Sequence, residues 1–479
     1  MDEENSYSCQ LAAVSSQGSG VREYSTGAIF AGLAALTNHA FTIDNLNRIG
    51  YYLIVMKNAI SPPPVRMPPQ AFMNGEVHDW YRTVWGYSDH LVGTLLDEFA
   101  SAARARVLDP FCGSGTTLVE CMKRGIDSAG IDANPVSCFA AAVKTNWSLN
   151  SDRLLALLEC IGENYHNGLL DETYASDPTY RYLDSTGMLS RGWISPEPLK
   201  KAISVKHSIR MLKTSVAYRR TFTLALLDTV LRTAANIKFG PELYCSKQKT
   251  DADVFGEFCK KIRKIAHDLD LATHVKHGKS VVLEGDSRGF VGLRNQLGSP
   301  KFSLVICSPP YPAEHDYTRN SRLELAFLEE VKDRESLRLI KKRMVRSHTK
   351  GIYTEDDDSG LVTGHEALAR IVRRIDRAAA SKTYGFARLY SRVTMEYFGG
   401  MKRHLASIRP FLRDGAILAY VVGDQSSYLQ VPINTAHILS ALAVEVGYEQ
   451  VEIRHWRNRN SRSASKVIVE NILILRKGA

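Results

Sequence analysis

Apolar residues in this chain change their spacing several times, and each change marks an element. Over 89–100 ("DHLVGTLLDEFA") they recur at helical spacing. "RARVLDPF" is then a short apolar run entering a glycine-rich turn, and "GTTLVECMKRG" resumes the helical period. "DSAGIDANP" reads as a second strand and "VSCFAAAVKTN" as a further helical piece. This alternation predicts a βαβ unit with parallel strands. From 146 to 277 long amphipathic segments with few strand signals predict a mostly helical insertion. Strand-like runs return in "KSVVLEGDS", "FSLVICSPP", "GAILAYVVGD", "QVEIRHW" and "VENILILRK", with a second polar, largely helical block over 312–408. The fold class this predicts is α/β, a doubly wound sheet with a terminal strand pair and two insertions. Such sheets hold ligands at the carboxyl ends of their strands, near the switch point.

Residues 1–60 mix polar sequence with an apolar segment that suits a small helical unit, and their role is undefined. "SPPPVRMPPQ" (61–70) reads as an extended strap, because proline cannot continue a helix. The organisation is therefore 1–60, a first domain part over 61–145, the insertion over 146–277, and a second domain part over 278–479.

Composition narrows the class. Hydrophobic residues make up 44% and charged residues 23%, the balance of a globular protein with a sizeable core. Lys plus Arg outnumber Asp plus Glu by 61 to 51, and the net charge of +10 favours a polyanionic partner without requiring one. The eight cysteines are scattered with no zinc-type pairing, so reduced thiols in a cytoplasmic protein, no disulfides and no metal are expected. The acidic, polar start is unlike a signal peptide, and no apolar window is long enough to span a membrane.

The candidate chemistry begins at "VLDPFCGSGTT" (107–117), which ends a strand and opens a helix. Gly113 and Gly115 carry no Cβ and let the backbone approach a ligand; a plain tight turn is the competing reading. A triphosphate loop would need a lysine after the glycines, and a dinucleotide loop a third glycine where Leu118 stands. Asp109, just before the turn, would repel a pyrophosphate and welcome a cation. Asp132 ends the second strand, where a carboxylate can accept hydrogen bonds from ribose hydroxyls. Asp286 ends the third, within reach of an adenine amine. Each acid alone could be a helix N-cap. Together, at three successive strand ends, they suit a nucleoside joined to a positive group, and S-adenosylmethionine is such a ligand.

The remaining signal is Ser308-Pro309-Pro310-Tyr311, where a strand-like run stops at two prolines that lack N–H groups and fix their own φ. "DPFCGSGTT" together with "SPPY" resembles the amino-methyltransferases that modify exocyclic amines of DNA bases, and the serine form resembles their cytosine-N4 branch. Residues 118–307 separate the two motifs. The resemblance covers about 85–145 and 278–479 and implies a class I methyltransferase fold, a mostly parallel seven-stranded sheet with a terminal antiparallel strand. It implies S-adenosyl-L-methionine as cofactor, with Asp109, Phe111, Gly113, Ser114, Gly115, Thr116 and Thr117 at its methionine end, Asp132 at the ribose and Asp286 near the adenine. It further implies that Ser308 to Tyr311 hold a flipped base, with either the helical insertion or the 312–408 block reading the target. The segment "WGYSDHLVGTLL" matches the family only loosely and is given no site. Cys307 lacks the Pro-Cys context of a cytosine-C5 nucleophile and is expected to fill core.

Basic residues cluster at 338–350, 370–377 and 454–466. The last is expected to form the hairpin between the final strands, with Arg454, Arg457, Arg459 and Arg462 around Trp456 contacting DNA phosphates. The reading favoured is a site-specific methyltransferase of double-stranded DNA in a prokaryotic-type cell, with a cognate restriction endonuclease as a further partner and oligomeric state undefined. Adenine-N6 methylation, RNA methylation and a non-catalytic DNA-binding subunit are the alternatives.

Overall fold

In β1 (Arg106–Asp109), Val107 and Leu108 are both fully buried, yet they belong to two different hydrophobic clusters. Successive side chains of a strand point to opposite faces, so this strand is covered on both sides. The same division recurs in the neighbouring strands, with Leu304 and Ile306 on one face of β6 (Phe302–Cys307) and Val305 and Cys307 on the other. Burial on both faces is what turns these segments into continuous apolar runs.

This computed structural model describes residues 77–81, 86–100, 105–168, 172–239, 243–274, 276–298, 301–382, 385–460 and 467–478, all within one compact unit. The segment 1–60, the strap 61–70 and Arg462 lie outside the described residues. The other strands are β2 (Asp127–Asp132), β3 (Ile237–Phe239), β4 (Leu243–Cys245), β5 (Ser280–Glu284), β7 (Leu412–Gly423), β8 (Tyr448–Asn460) and β9 (Val467–Lys477). Of the nine described strands, seven form one sheet in the order β5-β2-β1-β6-β7-β9-β8, and β3 pairs with β4. β9 runs antiparallel to both its neighbours, and the other pairings are parallel. The direction of winding reverses between β1 and β6, which is the switch point. A seven-stranded sheet of this order with an antiparallel β9 is the class I methyltransferase fold.

The helices are α1 (Asp89–Phe99), α2 (Thr116–Lys123), α3 (Pro135–Lys144), α4 (Ser151–Asn167), α5 (Pro178–Ser185), α6 (Pro196–Met211), α7 (Val216–Thr229), α8 (Val254–Ala272), α9 (Arg294–Leu297), α10 (Arg322–Phe327), α11 (Arg334–Lys342), α12 (Glu366–Ala380), α13 (Tyr390–Ile408) and α14 (Thr435–Glu445). α1 covers one sheet face through Leu91, Val92, Leu95 and Leu96, while α13 and α14 cover the other. Among its described residues the insertion is mostly helical, with β3 and β4 paired antiparallel. It shares a single cluster with Val119 and Met122 of α2 and Val136, Ala140 and Val143 of α3. Among the described residues no helix is long and apolar enough to cross a membrane.

One local expectation changes. The strand signal in "QVEIRHW" stops at Trp456, but β8 continues to Asn460, so Arg454, Arg457 and Arg459 lie in the strand and not in its hairpin. The polar tail has little β preference of its own; pairing such as Arg457 with Glu470 and Asn460 with Val467 holds it in the ladder. β8 is a sheet edge, where charged side chains are tolerated.

Candidate active site

The turn between β1 and α2 is built by two glycines with different tasks. Gly115 has φ +86° and caps α2, and a Cβ there would stand 3.0 Å from Ala141 Cβ of α3. It seats one helix against the next. Gly113 has φ +49°, and no atom lies within 4 Å of the place its Cβ would occupy, so it faces open space. Beneath the turn, a Cβ on Gly130 of β2 would come within 2.6 Å of Leu118 Cδ1 and 2.8 Å of Cys112 Cβ, so only glycine lets the turn settle on the strand. Ser114 and Thr117 are buried, whereas Phe111 and Thr116 are half-buried.

Asp109 is wholly buried and turns inward. Its Oδ1 accepts the Phe111 N–H at 3.0 Å, and its Oδ2 accepts the hydroxyls of Thr117 at 2.5 Å and Tyr87 at 3.1 Å. Burial raises its carboxyl to about 7, against the downward pull of those hydrogen bonds. Tyr87 comes from the loosely matching segment that was given no site. Asp132 is half-buried, with Oδ2 accepting the Gly113 N–H at 2.9 Å and Oδ1 the Asn134 N–H at 2.8 Å. It thereby ties the glycine turn to the end of β2. Burial pushes its carboxyl up to about 6, and the backbone donors oppose this. Asp286 follows β5 and is held by Arg288, whose Nε and Nη2 donate to it at 3.0 and 2.7 Å.

Under Phe111 sits His404, wholly buried, with ring centroids 4.8 Å apart. Its Nδ1 is 2.7 Å from the Ser287 carbonyl, which can only accept, so Nδ1 carries the hydrogen and Nε2 accepts from the Tyr420 hydroxyl at 2.7 Å. Burial lowers its pKa to about 4, so the ring is neutral. Ser287 in turn donates to the Pro110 carbonyl. This network props the turn from below.

The tetrad leaves β6 beside β1. Val107 and Leu108 pair with Leu304 and Val305, so Asp109 and Ser308 emerge on adjacent strands at the same carboxyl edge. The Ser308 hydroxyl donates to the Val421 carbonyl of β7 at 3.2 Å, which spends its hydrogen and leaves its oxygen as an acceptor. Pro309 is buried, and the Pro310 carbonyl accepts the Tyr397 hydroxyl of α13 at 2.8 Å. The Tyr311 N–H donates to the Tyr317 hydroxyl at 3.0 Å. The Tyr311 ring lies on the bare backbone of Gly423, where a Cβ would be 2.8 Å from the ring. Its hydroxyl donates to buried Glu470 at 3.4 Å. Cys307 is fully buried core, and burial pushes its thiol up.

Two arginines of β8, Arg454 and Arg457, are engaged within the chain. Arg454 bridges Glu98 and Glu452 with contacts of 2.9–3.1 Å, and Arg457 donates to Glu470 at 2.6 Å while lying over the Trp456 ring. The side chain of Arg459 and all of Arg462 lie outside the described residues. Every cysteine among the described residues is a free thiol. One trio there, His78, Asp89 and Glu120, offers ligand atoms within 4.8 Å of one another. However, Glu120 already pairs with Lys123 and Arg124 as well as His78, so the chain's own cations fill that position.

Tyr317, Tyr397, His404, Gly423 and Glu470 were not legible as site residues, because each reaches the site only through tertiary packing. Tyr317 alone had a signal, standing six positions after Tyr311 in the same loop.

No protein-family model matches the chain. It is 24% identical over 414 residues to the type II methyltransferase M.AvaI of Nostoc sp. (strain PCC 7120), covering 80% of this chain and 81% of that one. It is 24% identical over 453 residues to the type II methyltransferase M.BsoBI of Geobacillus stearothermophilus, covering 85% and 86%. A 38-residue stretch is 60% identical to the type II methyltransferase M.MjaII of Methanocaldococcus jannaschii, 8% of this chain and 7% of that one. A solved rRNA methyltransferase, aviRa from Streptomyces viridochromogenes, aligns with 12% identity over 85% of this chain and 94% of that one at a TM-score of 0.28, and the fold assignment rests on the strand order instead. The chain therefore has the class I methyltransferase fold and is similar, over at least four-fifths of its length, to two type II methyltransferases.

Proposed function

We propose that the protein is a site-specific DNA methyltransferase that methylates the exocyclic N4 amine of a cytosine flipped out of the duplex. The observation that carries this reading is the adjacency of Ser308–Tyr311 to the glycine turn at the switch point of the sheet. The donor set fits S-adenosyl-L-methionine. Gly113 opens to free space, Asp132 keeps lone pairs that can accept ribose hydroxyls, and Phe111 offers a half-buried ring. Ser114 to Thr117 would border the methionine end, beside Asp109, and Asp286 would lie toward the adenine. When bound, the cofactor supplies an electrophilic methyl group.

The chain's own residues prepare the amine. Its lone pair is delocalised into the cytosine ring, so it must be held pyramidal to react. The Ser308 oxygen and the Pro309 carbonyl are acceptors for its two hydrogens, and a hydroxyl already donating to Val421 can serve in no other way. The prolines, Tyr397 and Tyr317 fix those acceptors before the base arrives, which is an orientation effect. Extruding the base costs about a few kcal/mol. Stacking on Tyr311 returns roughly 1–3 kcal/mol of this. Serine is too weak a base to remove the amine proton in full, and its hydroxyl is left with the task of orientation.

Expression in cells lacking DNA methylation, followed by modification-sensitive single-molecule sequencing, tests the proposal. N4-methylcytosine in one sequence context is expected. N6-methyladenine alone would refute the cytosine assignment, and an unmodified genome would count against autonomous DNA methylation. The cytoplasm and a partner restriction endonuclease are the setting this reading implies.

A further inference from the structure

The three basic clusters differ in how far the fold neutralises them. In the 338–350 cluster Arg338 pairs with Glu355, Lys341 with Asp316, Lys342 with Glu355, Arg343 with Glu284 and Arg346 with Asp356. In β8, Arg454 and Arg457 are held by Glu98, Glu452 and Glu470. In α12 the outcome is different. Arg373, Arg374 and Arg377 are exposed, and among the described residues no carboxylate lies within ion-pair distance of any of them. Asp376, which stands between them, accepts from the Ser391 hydroxyl of α13. Arg370 sits 3.5 Å from Glu366, an exposed pair worth little.

Position gives this charge its meaning. α13 feeds β7 at the amino edge of the sheet, so its first turn rises at the carboxyl edge, where the tetrad lies. Tyr397 reaches the Pro310 carbonyl, and Ser391, six residues earlier, stands about 9 Å further out along the helix axis. The bond between Asp376 and Ser391 therefore ties the C-terminal half of α12 to the first turn of α13, at the carboxyl edge of the sheet. A second link runs along the loop after the tetrad. Glu314, three residues past Tyr311, holds the Thr349 N–H at 3.0 Å and its hydroxyl at 2.5 Å. The adjoining Lys350 is exposed and stands 5.7 Å from the ring of Phe386, itself exposed between α12 and α13.

We infer that the exposed face of α12, with Arg373, Arg374 and Arg377 and the neighbouring Lys350, is the surface that grips the phosphates of duplex DNA beside the Ser308–Tyr311 rim. This rests on the DNA methyltransferase reading. Uncompensated guanidinium groups displace condensed counterions, whereas those already paired to carboxylates have little charge left to do so.

The test is the salt dependence of duplex affinity for the full chain and for the triple variant Arg373→Gln, Arg374→Gln, Arg377→Gln. Each lost phosphate contact removes about 0.9 from the slope of log affinity on log salt, so three remove about 2.7. Between 50 and 200 mM salt the variant should then lose about 40-fold less affinity than the wild type. Its melting temperature and S-adenosylmethionine binding should stay at wild-type values. The matching Lys triple should restore the slope, since it keeps the charge. A Gln variant with the wild-type slope, or a Lys variant as shallow as the Gln variant, would overturn the assignment of this surface and leave DNA methylation standing. A wild type with no affinity for duplex DNA would overturn both.

Discussion

Replacing Asp109 by Asn should change how stability depends on pH. The side chain is fully buried, and its carboxyl ionises near 7 in the folded protein against 3.8 when free of the fold. Between those values the folded chain holds a proton that the unfolded chain has released. Its stabilising contribution is thus complete below 3.8 and is lost as pH rises through 7. Integrating between pH 5 and pH 8 gives a loss of about 2–3 kcal/mol from this group alone. The Asn variant is nearly isosteric, its amide oxygen can still accept the Phe111 N–H, and its amide hydrogens can donate to Thr117 and Tyr87. It does not titrate. Urea unfolding of both proteins at pH 5 and pH 8 measures the difference. The wild type should lose about 2–3 kcal/mol more than the variant between the two conditions, a comparison in which other buried acids such as Glu324 cancel. Parallel changes in both proteins would refute the burial argument for Asp109.

Gly423→Ala places a Cβ 2.8 Å from the Tyr311 ring; methylation should fall by an order of magnitude or more in a steady-state assay while S-adenosylmethionine affinity is kept. Tyr397→Phe removes the donor to Pro310 without opening a cavity, so unfolding should show a loss of about 1 kcal/mol. The same variant should lower kcat about fivefold if that energy holds the tetrad in place. Asp132 ionises near 6, so calorimetric S-adenosylmethionine affinity should weaken about tenfold from pH 8 to pH 5, and Asp132→Asn should abolish that dependence. A flat wild-type profile would remove Asp132 from the cofactor contact.

Short-range constraints were readable along the chain. Glycine admits a positive φ that other residues resist and paired prolines fix their own φ, whatever surrounds them, so the turn at 113–115 and the stop at 308–311 stood out as local patterns. Alternation of apolar runs with helical spacing likewise announced a wound parallel sheet, since each central strand must be apolar on both faces. What holds the tetrad was not readable in this way. Tyr311 meets Glu470 across 159 positions and Pro310 meets Tyr397 across 87, and no local preference of either residue requires the other. The ranking of the basic clusters was decided by tertiary structure too. The 454–466 cluster was the one expected to contact DNA, yet its Arg454 is paired with Glu98, 356 positions away, while Arg373, Arg374 and Arg377 of α12 meet no carboxylate among the described residues. Local geometry is written in residue types, but the net field at a surface depends on which opposite charges the fold brings within a few ångströms.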